Sequence, residues 1–285
     1  MVDVSVGAKA NVDQEDYWNA AAGETWVAFQ DQLDRQIGPL GARAIDALNP
    51  KLGERFVDLG CGCGQTTLQL AERVGPDGRV LGLDLSHPML TVARRRAADA
   101  GLQAVAFVRA DAQTQAFDPA SLDGAYSRFG VMFFADPVAA FTNIRRGLRP
   151  EGRLAFVCWR SMAENEWMSV PLRAGLQHLQ PAPPQDPLAP GPFAFADPER
   201  VRGVLADAGF QQIVIEGHDQ RIGAGNLDET VTMALRVGPL GALLRGQPEA
   251  REAVTRTLQD ALQPYVTPEG VSMKSATWIV RATAS

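Results

Sequence analysis

Cysteine is scarce in this sequence: the 285 residues include only Cys61, Cys63 and Cys158. Three cysteines spaced in this way do not form the framework of a disulfide-rich secreted domain. The N-terminus has no apolar signal core, and no apolar run reaches the roughly 18 residues that a membrane-spanning helix needs. We therefore expect a reduced, cytoplasmic protein that does not insert into a membrane.

Clustered basic charge is missing as well. Lysine and arginine total 27 against 33 aspartates and glutamates, which gives a formal net charge of −6. Proteins that bind phosphate backbones usually carry a basic stripe. The one basic run, RRR at residues 94–96, falls within a helical pattern and indicates a solvated face. The composition therefore disfavours nucleic acid as a partner.

Short apolar runs alternate with helical patterns from Arg55 onward. The runs that predict strands are RFVDLG, GRVLGLDLS, AVAFVRADA, LDGAYSRFG and GRLAFVCW. Strands that alternate with helices imply βαβ units and a parallel sheet, and near-continuous apolar runs are typical of strands covered on both faces. We predict an α/β, doubly wound, Rossmann-like fold. It is preceded by N-terminal helices over residues 12–50, which we expect to break near Gly23.

The regular alternation of strand and helix patterns changes after Trp159. A proline-rich stretch within residues 161–198 cannot form a regular element. A helix, a strand QQIVIEGHD, a helical segment within residues 226–268 and a last strand SATWIVRATA follow. We expect residues 1–11 to be disordered and residues 12–285 to form one domain in which 161–198 and 226–268 are cap or lid insertions. A linker between two domains is the alternative for the proline-rich stretch.

Three glycines separate the first predicted strand from the helix that follows it, in VDLGCGCG. Glycine allows positive φ angles and lets a ligand approach the backbone closely, and the start of a helix offers free N–H groups. Cofactors of doubly wound sheets lie beyond the carboxyl ends of the strands. Gly60, Gly62 and Gly64 therefore predict a cofactor site, with a metal site and a plain tight turn as alternatives.

Acidic residues end the next two predicted strands: Asp84 in GLDLS and Asp111 in RADA. The third glycine comes one residue earlier than in the dinucleotide pattern G-x-G-x-x-G. No basic residue near the loop could pair with a pyrophosphate. One carboxylate suits the hydroxyls of a ribose and the other suits an exocyclic amine. We therefore predict an adenosine-type cofactor without phosphates.

The stretch from about Tyr17 to Trp159 resembles the class I S-adenosylmethionine-dependent methyltransferases, in the small-molecule group related to quinone-biosynthesis enzymes. The matching pieces are VDLGCGCG, VLGLDLS, FVRADA, YSRFGVMFFADP and LRPEGRLAFVCW. The resemblance implies a seven-stranded sheet of order 3-2-1-4-5-7-6 with the last strand antiparallel. It also implies S-adenosyl-L-methionine as the co-substrate.

The resemblance further implies which residues contact the cofactor. Those that would face its methionine part are Asp58, Gly60, Cys61, Gly62 and Gly64. Those that would hold the nucleoside are Asp84 at the ribose, Leu85 and Met89 on either side of the adenine, and Asp111 with Ala112 at the adenine edge. Arg128 and Phe129 would lie beside the sulfonium, and Tyr17 and Trp26 would close over it.

Aromatic residues concentrate in the segments implied to surround the sulfonium. They are Tyr17, Trp18, Trp26, Phe129, Phe133, Phe134, Trp159 and Trp167. Aromatic faces attract cations, and core packing accounts for about half of such a set. The tetrad SRFG stands where nucleobase amino-methyltransferases carry an Asp/Asn-Pro-Pro-aromatic motif, which disfavours DNA or RNA bases as acceptors.

We therefore expect methyl transfer to a small, fairly apolar acceptor. A protein of this fold that catalyses a cyclisation or isomerisation, and a non-catalytic subunit that binds the cofactor, are the alternatives. No catalytic residue is predicted. His87, His178 and His218 could each accept a proton, but structural or surface roles are favoured. The general base, the acceptor, the methylated atom and the oligomeric state stay open, with a homodimer as one candidate for the last.

The C-x-C pair of the glycine loop lacks the second pair of ligands that a structural zinc site requires. Cys158 is distant in sequence, and no histidine completes a set. We interpret Cys61 and Cys63 as small side chains that fill the loop, and we expect no metal.

Overall fold

The computed structural model describes residues 11–183 and 186–285. Residues 1–10, which belong to the segment expected to be disordered, lie outside the described residues. Asn11, the last residue of that segment, is only 6% exposed and makes side-chain hydrogen bonds. Ordered structure therefore includes Asn11, contrary to the expected boundary.

Seven strands form the central sheet. Numbered among themselves in chain order, they are β1 Arg55–Leu59, β2 Arg79–Asp84, β3 Val105–Arg109, β4 Leu122–Arg128, β5 Leu148–Trp159, β6 Phe210–Ile222 and β7 Met273–Ala284. The spatial order is β3-β2-β1-β4-β5-β7-β6. The first five strands are parallel, and β7 runs antiparallel to both of its neighbours. The predicted fold class and strand order are confirmed.

Helices precede the sheet and connect its strands. They are α1 Val12–Asn19, α2 Ala21–Ala28, α3 Gln30–Leu48, α4 Gln65–Val74, α5 His87–Asp99, α6 Pro137–Gly147, α7 Glu166–Gly175, α8 Pro198–Asp207, α9 Leu227–Ala234, α10 Gly238–Arg245 and α11 Arg251–Leu262. The central strands are buried on both faces, as β1 shows: Phe56, Val57 and Leu59 are at most 1% exposed. This burial explains their continuous apolar sequence.

The N-terminal helices do not break at Gly23, although the sequence predicts a break near this residue. They break at Ala20 and at Phe29, and Gly23 lies inside α2. A Cβ atom at position 23 would lie 2.1 Å from the Trp18 carbonyl oxygen and 2.8 Å from the Ser86 hydroxyl. The glycine is therefore required for close packing of α2 on its neighbours rather than for a helix end.

The segments after β5 and after β6 build a helical layer with its own hydrophobic core. Buried side chains from α7, α9, α10 and α11 meet in it, and they include Val170, Val231, Leu240, Leu244 and Leu258. A short ribbon of Val266–Thr267 and Gly270–Val271 closes the layer before β7. This second core makes the layer, called the cap below, a packed structure rather than a set of loose loops. Across the described chain, no helix is both long enough and apolar enough to cross a bilayer.

Candidate functional site

A cavity of about 620 Å³ opens at the carboxyl ends of the parallel strands, between the N-terminal helices and the cap. Eleven of the fourteen predicted cofactor residues line it: Tyr17, Trp26, Gly60, Gly62, Asp84, Leu85, Met89, Asp111, Ala112, Arg128 and Phe129. The remaining three, Asp58, Cys61 and Gly64, are not part of the lining. The structure thus brings most of the predicted residues together from the ends of four strands and from three helices.

The glycine loop has positive φ at each of its three glycines: 67° at Gly60, 54° at Gly62 and 86° at Gly64. Their surroundings differ. A Cβ atom at Gly64 would lie 2.9 Å from the Ala93 Cβ on α5, and one at Gly60 would lie 2.9 Å from the Gly130 Cα. Gly64 therefore permits helix packing, whereas Gly60 and Gly62 present bare backbone to the cavity.

Asp58 supports the loop from beneath. Its carboxylate is completely buried, and the hydroxyls of Thr66 and Thr67 both donate to its Oδ2 at 2.7 Å. Burial raises the pKa of Asp58 to about 6, against the opposing effects of these two hydrogen bonds and of Arg128. Asp58 thus ties the end of β1 to the first turn of α4.

Asp84 holds the other side of the loop. Its Oδ2 accepts a hydrogen bond from the Gly62 N–H, and its Oδ1 accepts one from the Ser86 N–H, both at 2.8 Å. The residue is 8% exposed, and burial raises its pKa while these backbone donors oppose the shift. A carboxylate has about four lone-pair positions, so Asp84 can still accept from hydroxyls in the cavity.

Arg128 and Phe129 stand where β4 ends. The Arg128 guanidinium donates a hydrogen bond to the side-chain oxygen of Gln65, and it forms an ion pair with Asp34 of α3 at 3.4 Å. Phe129 has a φ of 61°, which is a strained conformation for a residue with a side chain. Its ring stacks on Trp159 at a centroid distance of 4.0 Å and an angle of 7°. The stack fixes Phe129 against the cavity.

All eight aromatic residues singled out from the sequence line the cavity. Trp18 lies at the centre of one group, with edge-to-face contacts to Tyr17, Trp26 and Phe133 at 5.1, 5.9 and 5.4 Å. Trp159 joins Phe129 to Trp167, whose ring centroid is 5.1 Å away. Two aromatic walls therefore face the space above the glycine loop.

Several lining residues were not predicted. They include Asn11, Gly130, the segment 190–193, and Arg236 and Arg245 of the cap. Gly130 had a local signal, because it is the glycine of SRFG. The structure explains why glycine is needed there, since a Cβ atom would lie 2.7 Å from the Leu59 carbonyl oxygen. The others have no local signal, since their position depends on how the cap folds back over the sheet.

None of the three histidines lines the cavity. His87 begins α5, the His178 ring contacts the Thr257 hydroxyl at 2.7 Å, and the His218 ring contacts the Gln220 side chain. Cys61 and Cys63 are buried free thiols within the glycine loop. In residues 11–183 and 186–285, no group of three or more potential ligands among His, Cys, Asp and Glu could hold a metal ion.

Comparison with known proteins bears directly on this cavity. Residues 56–152 match the family model described as a methyltransferase domain. The demethylmenaquinone methyltransferase of Thermus thermophilus is 34% identical over 179 residues, which cover 59% of this chain and 79% of that enzyme. The chain belongs to the class I S-adenosylmethionine-dependent methyltransferases.

One further relative and one solved structure are also similar to this chain. The nocamycin O-methyltransferase of Saccharothrix syringae is 32% identical over 183 residues, which are 61% of this chain and 65% of that enzyme, just under two thirds of its length. Phosphoethanolamine N-methyltransferase 2 of Haemonchus contortus, solved with S-adenosyl-L-methionine, has a TM-score of 0.60 at 17% identity. That match covers 98% of this chain and 60% of the other, and it shows a shared fold.

Proposed function

We propose that this chain transfers a methyl group from S-adenosyl-L-methionine to a small, fairly apolar metabolite by in-line displacement in a water-excluded pocket. One observation carries the proposal: a single cavity contains both carboxylates of the predicted nucleoside site and both aromatic walls. The sheet supplies the carboxylates of the nucleoside site, and the cap covers the aromatic walls. We propose that this cap belongs to one domain formed by residues 12–285.

The sheet end of the cavity fits the cofactor chemically. Asp84 has the acceptor capacity that a ribose diol needs, and its burial favours a partner that donates hydrogen bonds. Leu85, Met89 and Ala112 offer apolar surface for an adenine, and Asp111 stands at the next strand end. Bound there, the cofactor would supply an electrophilic methyl group on a positively charged sulfur. Aromatic faces such as those of Phe129 and Trp159 attract positive charge.

The acceptor end comprises the residues that the cap and the aromatic walls contribute. No carboxylate or histidine of the described chain lines this end. The contribution of these residues is therefore to align the acceptor and to exclude water. Alignment of this kind can lower the activation barrier of the transfer by roughly 7–11 kcal/mol. An acceptor that ionises by itself, such as a phenol or an enol, suits this environment.

The relatives support a small-molecule acceptor. The Thermus enzyme is named for demethylmenaquinone and the Saccharothrix enzyme for nocamycin. We extend to this chain only the class that both names share, a small molecule. A cavity with apolar walls suits such a ligand, because pockets of this kind orient it with a few polar groups.

A labelling experiment tests the proposal. The purified chain is incubated with S-adenosyl-L-methionine that carries a deuterated methyl group, together with a panel of phenols, hydroxynaphthoquinones and polyketide-like aromatics. We expect labelled product and S-adenosylhomocysteine in equal amounts. A transformed acceptor without S-adenosylhomocysteine would favour a cyclase or isomerase, and a chain that binds the cofactor but turns over nothing would favour a non-catalytic subunit. Efficient labelling of tRNA or DNA instead would contradict the small-molecule acceptor.

A further inference from the structure

Two arginines of the cap, Arg236 and Arg245, line the acceptor end of the cavity. Both side chains are exposed, and neither has a carboxylate partner among the described residues. The surrounding wall is apolar and includes Trp167, Phe193 and Pro239. The acceptor end therefore carries two cationic groups on an otherwise apolar wall.

The backbone holds the two arginines close to each other. Arg236 follows α9, where its N–H donates to the Met233 carbonyl at 2.9 Å, and Arg245 is the last residue of α10. The Arg245 guanidinium donates to the Arg236 carbonyl at 3.3 Å. A Cβ atom at Gly241 would lie 2.5 Å from that same carbonyl oxygen, so the turn between the helices is tightly packed.

The charges elsewhere in the lining do not balance this pair. The carboxylates that line the cavity, Asp84 and Asp111, stand at the ends of β2 and β3 beneath the nucleoside position. Arg128, the third arginine of the lining, already pairs with Asp34. Positive charge at the acceptor end therefore has no carboxylate partner within the described residues, and both arginines belong to the lining of the cavity.

We infer that the acceptor carries an anionic oxygen group, such as a carboxylate, at the end opposite its methylated atom, and that Arg236 and Arg245 bind this group. The inference rests on the proposed function and narrows its substrate class to apolar acids. Guanidinium groups donate to carboxylates through paired N–H groups, which orients the ligand as well as attracting it. The methylated atom would then lie near Phe129 and Trp159, away from the pair.

Calorimetry with matched probes tests the inference. The probes are 1-hydroxy-2-naphthoic acid and its primary amide, with the corresponding benzoic and anthraquinone pairs, titrated into protein saturated with S-adenosylhomocysteine. We expect each acid that binds to do so about five- to tenfold more tightly than its amide. In Arg236→Gln/Arg245→Gln this preference should fall below about twofold, while the affinity for the amide stays constant. Arg251→Gln, an exposed cap arginine outside the lining, is the matched control.

The outcomes separate the two proposals. Equal binding of acids and amides, or an acid preference that survives in the double variant, overturns the anionic group alone. Binding of no probe contradicts the fairly apolar acceptor, and the inference falls with it. A double variant that loses affinity for S-adenosylhomocysteine would show that the pair holds the carboxylate of the cofactor, which also overturns the inference.

Discussion

The side-chain amide of Asn11 donates to both carboxylate oxygens of Asp111, each at 2.8 Å. The Asn11 side-chain oxygen in turn accepts a hydrogen bond from the Ala135 N–H at 2.7 Å. Asn11 thus fixes the orientation of the carboxylate that the family resemblance implies at the adenine edge. An ionised carboxylate has lone pairs for more than these two contacts, so an exocyclic amine can bind it as well.

We predict that Asn11→Ala weakens the binding of S-adenosylhomocysteine about three- to tenfold, because Asp111 loses the contacts that orient it. Titration calorimetry measures the effect, and Val12→Ala, an exposed neighbour, is the control. Tighter binding by Asn11→Ala would show instead that the Asn11 amide competes with the adenine.

Asp58 should make the stability of the apo protein depend on pH. Because its folded pKa is about 6 and its ordinary value is 3.8, the folded chain holds more protons at this site between those limits than the unfolded chain does. This contribution to the free energy of unfolding therefore falls as the pH rises from about 4 to about 6, by roughly 3 kcal/mol in total.

Asp58→Asn keeps an oxygen for Thr66 and Thr67 but cannot ionise. We predict that urea unfolding shows the variant gaining stability relative to the wild type over this pH range, with Asp207→Asn showing no such change. Parallel pH profiles for the wild type and Asp58→Asn would contradict the assignment.

The loop thiols should be unreactive in the folded protein. Burial raises the pKa of Cys63 to about 12, and burial also raises the pKa of Cys61. Since the thiolate is the reactive form, an aromatic disulfide reagent at pH 8 should label these cysteines only after unfolding. The double change Cys61→Ala, Cys63→Ala should leave activity within a few fold, and elemental analysis should find no stoichiometric zinc. One zinc per chain, lost in the double variant, would show a metal site.

Trp167 should affect the acceptor more than the cofactor. It lies on the cap helix α7 and contacts Trp159 at the acceptor end. We predict that Trp167→Ala lowers kcat/KM for the acceptor about tenfold or more, whereas the dissociation constant for S-adenosylhomocysteine changes less than about threefold. Leu176→Ala, just beyond the end of the same helix and outside the cavity, is the control. Equal losses in both measurements would place Trp167 at the cofactor.

The strands could be predicted from sequence because their signals are local, and their order followed from the resemblance to a known family. The apolar runs, the glycine loop and the acids Asp84 and Asp111 each specify a strand end without reference to distant residues. Gly23 misled the prediction for a physical reason: a glycine needed for close packing inside α2 has the same sequence signature as a helix break.

The acceptor end could not be predicted in the same way. Arg236 and Arg245 look like ordinary exposed arginines in the sequence, and only the packing of α9 and α10 over the cavity brings them to its wall. Asn11 meets Asp111 across a separation of 100 residues, which no local pattern reveals. Contacts of this kind depend on the complete tertiary fold.

The central claim is that the cavity above the glycine loop binds S-adenosyl-L-methionine through Asp84. Titration of S-adenosylhomocysteine into the wild type and Asp84→Ala tests it most directly, with Asp99→Ala, an exposed carboxylate on α5, as control. Loss of a charged hydrogen-bonding group costs about 1.5–3 kcal/mol, so we predict one site per chain in the wild type and affinity at least about tenfold weaker in Asp84→Ala. Unchanged affinity in an Asp84→Ala protein that melts as a folded chain would contradict the claim.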